Sequence, residues 1–125
     1  MLKNEKGFTL IEIIAVLVIL GILAAVAIPR YVTMMDRSRI SAAQGAIGEL
    51  KGRASNAYAK LLLSNNGSDP GVAAVVGAVS SDVGSDFQGI GFAASGSNIT
   101  ISVATVKNNT MSTTPTSTWF YPSVS

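Results

Sequence analysis

Ionisable side chains are few, and their placement limits the chemistry open to the chain. There are seven carboxylates and nine lysines and arginines, with no histidine and no cysteine. A histidine-based triad and a cysteine nucleophile are thereby excluded. So are the usual ligand sets for zinc, haem and iron–sulfur centres, and no cofactor is expected. Catalysis would rest on carboxylates, serines and lysines, and no pair of them stands at an informative spacing. Two acidic placements remain. Asp82 and Asp86, with Ser81 and Ser85 beside them, offer a thin set of oxygens to a calcium ion. A solvated loop explains the same residues. Glu12 is the only charge between Phe8 and Ile28. A carboxylate near the start of an apolar run is costly unless it finds a partner. The helix dipole accounts for its tolerance in a first turn, but not for its presence.

The run that holds Glu12 reads FTLIEIIAVLVILGILAAVAI. As a helix it is about 31 Å long, close to the hydrocarbon thickness of a bilayer. Gly21 weakens the helix interior by roughly 1 kcal/mol relative to alanine. Pro29 lacks an N–H and is expected to break or kink a continuing helix, freeing the carbonyl of Ala25. Lys3 and Lys6 precede the run and favour a cytoplasmic start, although Arg30, Arg37 and Arg39 follow it. Three readings compete: a permanent single-span anchor, a secretory signal with Ala25-Val26-Ala27 as its cleavage site, and a leader cut before the apolar stretch.

Lys6-Gly7-Phe8-Thr9-Leu10-Ile11-Glu12 resembles the processing motif of type IV prepilins and type II secretion pseudopilins. Gly21 and Pro29 match that family's helix-interrupting positions. The resemblance is close over about the first thirty residues and weaker over the next thirty. It implies a leader, residues 1–7, that a membrane-embedded prepilin peptidase removes between Gly7 and Phe8 before the new Phe8 amine is methylated. It implies an inner-membrane precursor with a single span, handled by an inner-membrane assembly machinery. The mature chain would polymerise through its N-terminal helix into a homo-oligomeric surface filament. Glu12 would then meet the Phe8 amine of a neighbouring subunit and fix axial register, since a buried charge left unpaired costs several kcal/mol. A contact between Phe8 and Glu12 of the same chain is the simpler alternative. The runner-up within the family is a pseudopilin, acting in a short periplasmic filament.

Beyond Pro29, Ile40, Ala43, Ile47, Leu50, Ala54, Ala57 and Leu61 recur at spacings of three and four, which is a helical stripe. Ser64-Asn65-Asn66-Gly67 is a stop signal. One bent helix over 8–64, about 84 Å from Phe8 to Leu63, is therefore expected. The remaining segment, 65–125, is rich in Ser, Thr, Gly and Asn. Strands are expected at Gly89–Ala94, Asn98–Val106 and Ser117–Tyr121, with turn clusters at 96–98 and 107–110. Val72–Val79 is open between helix and strand. The expected fold is α+β: a long helix, half membrane-spanning and half amphipathic, against a small antiparallel sheet of about three strands. A head of that size is marginal alone and must cover the helix stripe, with Trp119, Phe120 and Tyr121 closing its core. Many type IV pilins staple this end with a cysteine pair. This chain has none, which leans toward pseudopilins or cysteine-free pilins.

The net charge of +2 is weak and its cations are spread out, so no nucleic-acid partner is predicted. Asn66-Gly67-Ser68, Asn98-Ile99-Thr100 and Asn108-Asn109-Thr110 fit the N-glycosylation pattern, which a chain rich in Asn and Thr produces by chance.

Overall fold

The computed structural model describes residues 7–122. Residues 1–6 of the expected leader, with Lys3 and Lys6, lie outside the described residues. The chain forms two units, one up to Met35 and one from Asp36 onward. Helix α1, Leu10–Ser64, contributes to both.

The first unit is the apolar part of α1. An 18-residue window within α1 has a mean hydropathy of 3.0 and buries none of its residues. The assigned helix passes through Gly21 and Pro29 without interruption, as the single helix expected over 8–64 requires, and Pro29 does not break it. Pro29 does lack the N–H that would bond the carbonyl of Ala25. Its own carbonyl accepts a bond from the Thr33 hydroxyl, at 3.0 Å. A helix flanked by apolar residues has no competing partner for its backbone groups, so one missing bond does not end it.

In the second unit the stripe on α1 is the buried side. Ala43, Ile47, Leu50, Ala54 and Ala57 are enclosed, and Ile40 and Leu61 pack at the margins. The helix ends in a Schellman motif. Asn66 takes a left-handed conformation, with φ of 54°. Its N–H reaches the carbonyl of Leu63 and that of Gly67 reaches Leu62. A short helix α2, Val72–Ala78, follows and settles the ambiguous segment as helical. Val75 is its buried residue.

Four strands follow: β1 Phe87–Ser95, β2 Asn98–Val106, β3 Asn109–Thr110 and β4 Thr116–Phe120. β2 is central, antiparallel to β1 on one side and to β3 and β4 on the other. One strand more than expected is present, because the second turn cluster contains the two-residue β3. Gly96 begins the β1–β2 turn at φ 59°, the positive φ that the first central position of a type II′ hairpin demands. Gly89 is also constrained. A Cβ there would stand 2.7 Å from that of Ala104 on the paired strand.

β2 alternates across the sheet. Ile99, Ile101 and Val103 face the core, while Thr100, Ser102 and Ala104 are half-buried on the other face. Ile99 pairs with Trp119 on β4. Tyr58, Trp119 and Tyr121 form an edge-to-face aromatic group, with ring centroids 5.2–6.4 Å apart. Phe120 corrects the expectation that it closes the core. It is 74% exposed, because the strand that turns Trp119 inward must turn its neighbour outward.

Candidate functional site

The residues singled out by the sequence lie at the start of α1. Gly7, Phe8 and Thr9 precede the first helical residue, Leu10. The carbonyl of Thr9 accepts a bond from Ile13 N–H at 3.2 Å, so Thr9 is the N-cap. Its hydroxyl accepts from Glu12 N–H at 3.3 Å. The Glu12 carboxylate returns to accept from Thr9 N–H at 3.0 Å. The two residues form a capping box that satisfies two otherwise unpaired N–H groups.

This gives Glu12 a partner that the sequence reasoning missed. Glu12 was paired in expectation with Phe8, on its own chain or a neighbouring one. The structure brings it to Thr9. The signal was present in the sequence, since Thr-x-x-Glu before an apolar run marks a capping box.

Phe8 is 84% exposed, and every large apolar side chain from there to Met35 is at least 40% exposed. Gly7 stands clear of other atoms, with nothing within 4 Å of where a Cβ would lie. Gly21 and Pro29 lie further along the same apolar part of α1.

Asp82 and Asp86 occupy the segment between α2 and β1. Asp82 Oδ1 accepts from Gly84 N–H at 3.1 Å. Its carbonyl accepts from Arg53 Nη1 at 2.6 Å, and the same nitrogen reaches the carbonyl of Ser80 at 3.2 Å. Arg53 is also paired with Glu49 at 2.5 Å, one turn back on α1. The carbonyl of Asp86 accepts from Lys107 N–H. Several oxygens of this loop are thus turned to protein donors. Among the described residues no three acidic side chains gather as a metal site would need.

Two further carboxylates are held by hydrogen bonds. Asp36 accepts from both the hydroxyl and the N–H of Ser112, which together hold its carboxyl below the usual range. Asp69 accepts from the Tyr121 hydroxyl and from Gly71 N–H, with the same effect. An open hollow of about 480 Å³ lies along α1 and α2, beside Arg53 and Lys60. Asn56 and Ser80 also line it.

Comparison with known proteins bears on the N-terminal segment. The model of the prokaryotic N-terminal methylation motif matches residues 2–28. The chain is 49% identical to the fimbrial protein EcpC of Eikenella corrodens over 59 residues, which is 46% of this chain and 39% of that protein. It is 47% identical to the type IV major fimbrial protein FimA of Dichelobacter nodosus over 47 residues, 38% of this chain and 30% of that one. It is 47% identical to the type II secretion system core protein G of Pseudomonas aeruginosa over 45 residues, 36% of this chain and 32% of that one. The chain therefore spans about a third of the length of these relatives. No solved structure matches it. The N-terminal part of the chain, a capped apolar helix within the methylation motif, is thus similar in sequence to type IV fimbrial proteins and to a type II secretion protein alike, and favours neither branch.

Proposed function

We propose that the chain is a structural subunit, made as a precursor and polymerised through its N-terminal helix into an extracellular filament. A prepilin peptidase cuts between Gly7 and Phe8, the Phe8 amine is methylated, and an inner-membrane machinery moves the subunit from the bilayer into the growing polymer. One observation carries this reading. The apolar half of α1 buries none of its side chains, and its Phe8–Ile28 run lies within the match to the N-terminal methylation motif rather than standing alone. Lipid covers such a surface before assembly, and copies of the same surface cover it afterwards. In that environment Glu12 and the new Phe8 amine would both be removed from water, so each needs the other. Gly21 and Pro29 supply a stretch of weakened helix that can adapt as subunits pack.

The pseudopilin is the second reading, supported by the similarity to core protein G at the same identity as to FimA. Mass spectrometry of the mature protein tests both against the alternatives. N-methylated Phe8 at the terminus is the expected result. A terminus at Ile28 would instead identify a removable secretory signal. Long filaments sheared from the cell surface then support the pilin, and their absence beside intact secretion supports the pseudopilin.

A further inference from the structure

We propose that Thr9 positions the Gly7–Phe8 bond for proteolysis by ending the helix just short of it, an inference that rests on the reading that the chain is cut there. The bond is hydrolysed by one water, which leaves a carboxylate on Gly7 and an ammonium group on Phe8. For that attack the peptide plane must be open and the chain extended. Inside an α-helix the same carbonyl would be tied to an N–H four residues on and crowded by the next turn. Proteins that capture peptides commonly bind them as extended strands.

The capping box meets this need. An N-cap residue has non-helical φ and ψ, so the helix cannot pass through it unchanged. Thr9 is held in that role from both sides, by its hydroxyl on Glu12 N–H and by the Glu12 carboxylate on its own N–H. Gly7 and Phe8 are consequently outside the helix, and both are exposed. The upstream sequence makes the position of the cap matter. Gly7 is itself an acceptable N-cap, and Asn4 is a good one. If Thr9 became a residue that caps poorly and favours helix, the start would move to one of them. The scissile bond would then lie in the first helical turn.

The test follows cleavage of the full-length precursor in membranes that contain the prepilin peptidase, by pulse-chase and gel mobility. Thr9→Ala, a poor cap and a strong helix former, is expected to be cut about fivefold more slowly, the population ratio that a typical N-cap free energy sustains. Thr9→Ser and Thr9→Asn restore the cap and are expected to be cut at close to the original rate. Cleavage of Thr9→Ala as fast as the parent overturns the proposal. Slow cleavage of all three variants also overturns it, because the peptidase would then be reading threonine itself. A parent chain that stays whole, or is cut at another bond, overturns the processing reading together with the cap. Sequencing of the parent product separates that outcome from the first two.

Discussion

Tyr121, just past the last strand, donates its hydroxyl hydrogen to Asp69 in the loop after α1, joining residues far apart in the chain. Gly71 N–H donates to the same phenolic oxygen at 2.8 Å and to the Asp69 carboxylate at 3.0 Å. Burial of the phenol, then its bond to Asp69, pushes the Tyr121 pKa up to about 12. The Asp69 carboxyl is moved the other way, chiefly by that tyrosine and next by Gly71. A lowered carboxyl pKa stabilises the fold above the ordinary value of 3.8, and that contribution is lost as pH falls through the lowered value. A raised phenol pKa stabilises it below pH 10, and that contribution is lost as pH rises toward 12. The melting temperature of the mature protein in detergent, followed by fluorescence of Trp119, is expected to fall at both extremes. Asp69→Asn should flatten the acid limb only in part, since Asp36 is held down in the same direction by Ser112. An acid limb unchanged in the Asp36→Asn, Asp69→Asn double variant would show that these carboxyls are not its source.

Leu50 is fully enclosed at the centre of the α1 stripe. Leu50→Ala removes three methyl-sized groups from a small core and leaves a space that the helix cannot collapse to fill. The expected loss is about 2–5 kcal/mol, a large fraction of the stability of a small domain. Urea unfolding monitored at Trp119 measures it. A loss below about 1 kcal/mol would mean that the sheet is not packed on this face of the helix.

Gly7→Asp is expected to block cleavage, seen as accumulation of a precursor-sized band. Glu12→Ala should behave differently. The hydroxyl of Thr9 can still cap the helix in that variant, so cleavage continues. Without the carboxylate the Phe8 amine would be buried unpaired in a polymer, and filament yield should fall at least about tenfold. Normal yield from Glu12→Ala, judged by shearing and immunoblot, would remove the register role from this residue.

The amphipathic part of α1 was legible because spacing of three and four admits few other interpretations: Ala43, Ile47, Leu50, Ala54 and Ala57 are enclosed, with Ile40 and Leu61 at the margins, although Ala46 and Tyr58, also buried, fell outside the stripe. β2 was legible because Ile99, Ile101 and Val103 alternate with Thr100, Ser102 and Ala104, although the alternation fails at Val106, which is buried out of step. Other features were hidden for identifiable reasons. Val72–Ala78 is too short and too uniformly apolar for periodicity to separate helix from strand. Phe120 was misplaced because three adjacent aromatics read as a single apolar block, whereas a strand divides them between two faces. Arg53 reaches carbonyls 27 and 29 residues away, and backbone acceptors carry no sequence signature. At the start of α1, Glu12 drew notice as a lone charge. Thr9 did not, being an ordinary residue until its spacing to Glu12 is considered.

The way the second unit is fastened has a consequence for how it responds to its surroundings. Its last strand is secured by edge-to-face rings and by a bond from the tyrosine just beyond it to a carboxylate, with no sulfur anywhere in the 125 residues except in methionine. Its folding needs no oxidant, and thiol reductants that would open a disulfide-stapled head leave this one intact. Acid, which a disulfide withstands, is the agent that loosens it.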